Sequence, residues 1–64
     1  MSNSICFYFP YLEDSGVPVL FYRMANAIAQ KRSDISVYVI DYENGAMARN
    51  LLPLNNLKLI VFEK

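Results

Sequence analysis

The sequence predicts an α/β fold in which three parallel strands alternate with two helices. Three short runs rich in β-branched and aromatic residues indicate the strands. A longer segment with apolar residues at helical spacing separates the first two runs. Because strands that alternate with helices form parallel sheets with right-handed crossovers, we expect the order β-α-β-α-β in one sheet.

Each strand run is about six residues long and is bounded by polar or turn residues. The runs are residues 5–9 (ICFYF), 35–40 (ISVYVI) and 57–62 (LKLIVF). Each combines the residue types that favour strands with a length typical of them. Because successive side chains of a strand point to opposite faces of the sheet, the order of residues in each run predicts which of them face a core.

The first helix is predicted to begin within residues 15–18, because Pro18 is tolerated only in the first turn. It ends near residues 31–32, where positive charge suits the carboxyl end of a helix. A shorter helix is predicted over residues 44–52, stopped by Pro53. The apolar stripe of the first helix consists of Val17, Leu20, Phe21, Met24 and Ile28.

The strands have two unlike faces. Right-handed crossovers place both helices on one face, which is wholly apolar and comprises Ile5, Phe7, Phe9, Ile35, Val37, Val39, Leu57, Leu59 and Val61. The opposite face is partly apolar and comprises Cys6, Tyr8, Ser36, Tyr38, Ile40, Lys58, Ile60 and Phe62. Parallel sheets are normally buried on both faces, so residues 1–64 are predicted to be one partial domain, a Rossmann-like half of a doubly wound domain. The alternative is a face left in water or paired in a homodimer.

Composition narrows the classes of function. The chain has 64 residues, one cysteine and no histidine, which excludes an internal disulfide and the usual histidine-containing zinc site. Apolar residues make up 55% of the chain, which suggests surface that something else covers. Six basic and six acidic residues cancel, so nucleic acid is not an expected partner. No signal peptide or transmembrane run is recognisable, and the expected compartment is the cytoplasm.

The candidate site lies beyond the carboxyl ends of the strands, where open parallel sheets bind ligands. The segments there are residues 10–16, 41–45 and 63–64. Ser15 and Gly16 open the first helix, whose free N–H groups favour an oxygen-rich ligand, and Gly16 permits close approach to the backbone. Glu13 and Asp14 are candidates for accepting hydrogen bonds from sugar hydroxyls, or one of them for acting as a general base. In the purely structural alternative, Ser15 or Asp14 caps the helix and Gly16 makes the turn.

A dinucleotide site is the competing interpretation, because an acidic residue, Asp41, follows the second strand. The fingerprint of such sites needs three glycines, whereas this loop reads SGVPVL with a single one, Gly16. We therefore interpret Asp41 as a strand-end residue that bonds the local backbone. Cys6 lies inside a strand, where cysteine usually serves as a small apolar residue.

The chain resembles the amino-terminal end of GT-B fold glycosyltransferases, in the retaining group that includes many bacterial polysaccharide and lipopolysaccharide transferases. The similar features are a first strand ending in ICFYFPY, the loop SGV, the helix FYRMANAIAQK, and the strands ISVYVIDY and LKLIVF. The family commonly has two glycines in the loop, where this chain has Ser15 and Gly16. It also has a Gly-His pair before the second strand, which is absent here. The resemblance spans nearly the whole chain and a small part of such an enzyme.

The resemblance implies a function for a longer enzyme that includes this chain. That enzyme would transfer a sugar from a nucleotide-sugar to a glycan or lipid-linked acceptor, without a metal or other cofactor. The glycine loop would lie at the cleft near the donor phosphates, while the residues that bind the nucleotide-sugar would belong to a carboxyl-terminal domain. The 64 residues alone are not expected to be active, and peripheral attachment to the inner membrane is left open. The alternative is a small non-enzymatic module that dimerises or binds a protein through Tyr8, Tyr38, Ile40, Ile60 and Phe62.

Overall fold

One parallel sheet and one helix make up the fold, which confirms the predicted α/β class. The computed structural model describes residues 3–62 of the chain. The elements are β1 (Asn3–Tyr8), α1 (Gly16–Lys31), β2 (Ile35–Asp41), a 3₁₀ turn (Ala48–Asn50) and β3 (Leu57–Val61). The strands lie in the order β1-β2-β3, and both pairings are parallel. This is the architecture of a Rossmann-like half domain.

The register aligns apolar side chains on the face beneath α1. Phe7 lies beside Val39, and Val37 lies beside Leu57. These four side chains are buried, together with Ala25 and Ala29 of the helix. The two alanines occupy the helix face that meets the sheet, and their small side chains allow close approach of the two backbones.

The buried face of α1 is rotated from the predicted stripe. Pro18, Ala25 and Ala29 are the buried helix residues. Val17, Leu20 and Met24 were expected to face the core, but their residues are 45%, 56% and 43% exposed. The prediction was wrong at these positions because it weighted large apolar side chains, whereas the tight packing of α1 on the sheet selects the alanine face.

The predicted helix over residues 44–52 is also wrong. Only one 3₁₀ turn, Ala48–Asn50, forms in this segment. The backbone N–H groups of Met47 and Ala48 are bonded to the carboxylate of Asp41, at 3.0 Å each. These side-chain bonds hold the segment against the end of β2 and replace the hydrogen-bond ladder of an α-helix.

The shorter second crossover leaves part of the sheet uncovered on the helix side. Leu59 and Val61 of β3 were predicted to be well covered, but they are 36% and 44% exposed. A single 3₁₀ turn spans too little of the sheet to shield them.

The opposite face of the sheet is exposed along the edge strands β1 and β3 and half-buried along β2. Tyr8 is 56% exposed and Ile60 is 46% exposed, while Cys6 of β1 has an exposed thiol. Tyr8 and Phe62 meet edge to face, with ring centroids 5.8 Å apart. Within residues 3–62, no helix or loop forms a layer over this face, which agrees with the prediction of an uncovered second side.

In the part of the chain that the structure describes, no helix combines the length and the apolarity needed to cross a bilayer.

Candidate functional site

A buried carboxylate organises the carboxyl end of the sheet. Asp41, the last residue of β2, is fully buried. Its Oδ1 accepts hydrogen bonds from the backbone N–H groups of Tyr11 at 3.0 Å and Tyr42 at 2.8 Å. Its Oδ2 accepts those of Met47 and Ala48, each at 3.0 Å. Four donors satisfy the ionised side chain, as a buried charge requires.

This arrangement confirms that Asp41 bonds local backbone. Asp41 also contacts a second loop, which the sequence did not indicate. The donor Tyr11 belongs to the loop after β1 rather than to the loop after β2. A second bond, from the N–H of Ala46 to the carbonyl of Tyr11 at 2.7 Å, joins the same two loops. The two segments that end β1 and β2 are therefore held together as one unit.

Gly45 makes this unit sterically feasible. A Cβ atom placed on Gly45 would overlap the carboxylate of Asp41. Its φ angle is not positive, so close approach rather than backbone conformation explains the glycine. Gly45 ends the predicted segment 41–45, but no role was predicted for it. The available signal was a glycine four positions after the acidic residue that ends a strand.

The joined loops form an open groove of ≈ 320 Å³. Its lining residues are Pro10, Tyr11, Leu12, Glu13 and Tyr42. Each of the two tyrosine rings contacts another aromatic ring. The ring of Tyr11 lies 5.5 Å from that of Phe9, and the ring of Tyr42 lies 5.8 Å from that of Phe62, centroid to centroid.

The predicted site residues do not all reach this groove. Glu13 lines it. Asp14 is exposed and pairs through Oδ1 with Nη2 of Arg49 at 3.2 Å. The same Nη2 donates to the carbonyl of Leu12 at 2.9 Å, so Arg49 braces the loop from outside. Glu13 and Asp14 are therefore neighbours in sequence with different surroundings.

Ser15 and Gly16 lie at the start of α1. Ser15 occupies the N-cap position, and its carbonyl accepts the N–H of Val19 at 3.1 Å, but no side chain caps the helix. The side-chain capping role considered for Ser15 or Asp14 is therefore wrong. A Cβ on Gly16 would meet no atom within 4 Å, so the space beside this glycine is open. The third candidate segment, residues 63–64, lies outside the described residues.

No protein-family model, curated protein or solved structure matches the chain. The glycosyltransferase resemblance therefore stays a prediction, carried by the sequence motifs alone.

The side chains at the site are suited to binding. Tyrosine rings offer apolar faces, and the Glu13 carboxylate offers hydrogen-bond acceptors and a negative charge. Within residues 3–62, no three side chains of the His, Cys, Asp and Glu types cluster as a metal site would require. The pKa of Asp34 is lowered, chiefly by the hydrogen bond from Arg32, but this pair lies beside the amino end of β2, away from the groove.

Proposed function

We propose that this chain is the amino-terminal, Rossmann-like part of a GT-B glycosyltransferase. The complete enzyme would move a sugar from a nucleotide-sugar to a glycan or lipid-linked acceptor. The observation that carries the proposal is the start of α1, just beyond the carboxyl end of β1, where no side chain caps the helix and the space beside Gly16 is open. Open parallel sheets bind their ligands in that position.

The start of α1 supports a role near the donor phosphates. No side chain caps the helix, and its first turn contains no acidic residue. Backbone N–H groups at such an end favour negatively charged oxygen atoms. The open space beside Gly16 would let a ligand reach this backbone. Ser15 and Gly16 are accordingly the residues we propose for the cleft loop, with Glu13 and Asp14 on the acceptor side.

The uncovered sheet face supports the proposal that the chain is part of a larger domain. Parallel sheets usually carry helices on both faces, and here only one face has a helix. By resemblance, the groups that hold the nucleotide belong to another domain, so we expect no turnover from the 64 residues alone. We propose a cytoplasmic enzyme. Its peripheral attachment to the inner membrane would depend on whether the acceptor is linked to a lipid.

Titration with nucleotide-sugars, followed by the amide signals of the ¹⁵N-labelled chain, tests the proposal. We expect UDP-glucose or GDP-mannose to shift the amides of Ser15, Gly16 and Val17 at millimolar concentration. Gly16→Ala should abolish these shifts while leaving α1 intact, because its Cβ meets no atom of the chain. Unchanged amide signals at Ser15 and Gly16 with both donors would contradict the proposal, and so would equal shifts in Gly16→Ala. Release of sugar by the isolated chain would contradict the expected inactivity.

A second candidate function is a non-enzymatic module that dimerises or binds a protein through the open sheet face. The exposure of Tyr8 and Ile60 favours it, since the register places Ile40 between these two side chains and Phe62 contacts Tyr8. Tyr38 lies on the same face, beside Lys58. Large exposed apolar patches usually mark interaction sites.

Sedimentation velocity separates this candidate from the first. If the open face is a dimer interface, the chain should sediment as a dimer and Ile60→Lys should make it monomeric. Leu20→Lys is the matched control, because Leu20 is 56% exposed on α1, outside the open sheet face. A monomeric wild-type chain, or equal effects of both substitutions, would count against the dimer module.

A further inference from the structure

The groove differs chemically from the start of α1. Its lining residues include two tyrosines and one acidic residue, Glu13. In the part of the chain that the structure describes, no lysine or arginine lines it. The exposed carboxylate of Glu43 directly follows Tyr42 in sequence and adds a second negative charge nearby. The groove therefore presents aromatic faces in a negatively charged setting.

Asp41 already engages two backbone N–H groups of the groove. The amides of Tyr11 and Tyr42 both donate to one oxygen, Oδ1 of Asp41, and the amide of Ala46 is bonded to the carbonyl of Tyr11. A phosphate or other anion needs donors of this kind. These three amides are therefore not available to an anionic ligand.

The basic side chain that contacts the loop, that of Arg49, does not line the groove. Nη2 of Arg49 is bonded to the carbonyl of Leu12 at 2.9 Å and to Oδ1 of Asp14 at 3.2 Å. Within residues 3–62, Glu13 forms no salt bridge, so a ligand can use its charge. What the groove offers is a counter-charge and aromatic faces, which are the elements of cation recognition.

We infer that this groove binds an organic cation, an ammonium group held against the rings of Tyr11 and Tyr42 with Glu13 as the counter-charge. The shared bond of both tyrosine amides to Asp41 holds the two ring-bearing backbones side by side. The exposed setting implies weak, millimolar binding for a small probe. This inference does not depend on the proposed transferase activity.

Choline and its neutral carbon analogue 3,3-dimethyl-1-butanol provide the direct test. They have nearly the same shape and differ in the charge of one atom. We expect choline to shift the amides of Tyr11, Glu13 and Tyr42, and to bind about fivefold more tightly than the alcohol. Equal binding of the two compounds would overturn the inference. So would shifts of these amides by glucose or pyrophosphate without shifts by choline.

Two pairs of variants separate the contributions of charge and ring. Glu13→Gln should weaken choline binding about threefold, as an exposed charge would. Asp34→Asn, which removes one charge at the other end of β2, should leave it unchanged. Tyr11→Phe keeps the ring and should retain binding, whereas Tyr11→Leu should weaken it about threefold or more.

Two results would overturn the inference. The first is a loss of binding in Tyr11→Phe as large as that in Tyr11→Leu, because the hydroxyl would then be the recognised group. The second is an equal effect of Glu13→Gln and Asp34→Asn. Either failure would leave the nucleotide-sugar proposal standing, because that proposal is read from the amides of Ser15 and Gly16.

Discussion

Replacing Asp41 by asparagine tests whether one buried carboxylate holds the two loops of the groove together. The substitution keeps the shape of the side chain but removes its charge and replaces one acceptor oxygen with an NH₂ donor. Each oxygen of Asp41 accepts two backbone N–H groups. Whichever way the amide turns, two backbone N–H donors then face another donor.

The expected loss follows from these bonds. Each hydrogen bond to a charged group contributes about 1.5–3 kcal/mol, so losing two costs about 3–6 kcal/mol. Domains of this size have a total free energy of unfolding of about 3–10 kcal/mol. Asp41→Asn should therefore be largely unfolded, or should unfold at a much lower denaturant concentration.

Urea unfolding followed by far-ultraviolet circular dichroism measures the effect. With a slope of about 1 kcal/mol per molar urea, the midpoint of Asp41→Asn should fall by about 3 M or more, or disappear. Asp34→Asn makes the same chemical change at an exposed ion pair and should unfold almost like the wild type. A midpoint for Asp41→Asn within about 0.5 M of the wild-type value would refute the assigned role of the carboxylate.

Three further predictions concern the glycines, the end of α1 and the exposed ion pair. Gly45→Ala should lower the unfolding free energy by about 2–3 kcal/mol because its Cβ overlaps the buried carboxylate. Gly16→Ala should raise the unfolding free energy by about 0.4–1 kcal/mol, because its Cβ would lie in open space. Urea unfolding measures both variants, and changes of the opposite sign would contradict both steric arguments. Asn56→Asp should cost about 1–3 kcal/mol, because Nδ2 donates to three carbonyls that a carboxylate would repel; an unchanged urea midpoint would contradict this. The pKa of Asp34, followed by NMR, should lie below its usual value and rise in Arg32→Gln; a pKa that does not move would exclude the pair as its cause. Because the folded-state pKa is lowered, the pair stabilises the fold above the unfolded pKa of about 3.9, and this contribution is lost as the pH falls through the lower folded value.

Periodicity accounts for most of the fold. The three strand runs and the long apolar segment were each located to within two residues, because alternation and helical spacing are properties of local sequence. The open second face followed from the same alternation. The position of the groove also followed, since the carboxyl ends of parallel strands share one edge of the sheet.

Within the site, the sequence predicted less. Glu13 was expected near a ligand and lines the groove, whereas Asp14 is bound to Arg49. That ion pair joins residues 35 positions apart, and no local pattern indicates it. Tyr11 and Tyr42 lie in the predicted segments 10–16 and 41–45 but were not named as site residues, because they come together only after β1 and β2 pair.

The sequence by itself determined the strands, the first helix, the parallel order and the existence of an uncovered face. These depend on the spacing of apolar residues and on the handedness of crossovers, which act over short stretches of chain. The tertiary structure alone decided which face of α1 is buried, and it replaced the second helix with a 3₁₀ turn. The physical reason for that turn is Asp41, whose burial brings four N–H donors from two separate loops to one carboxylate and requires Gly45 beside it.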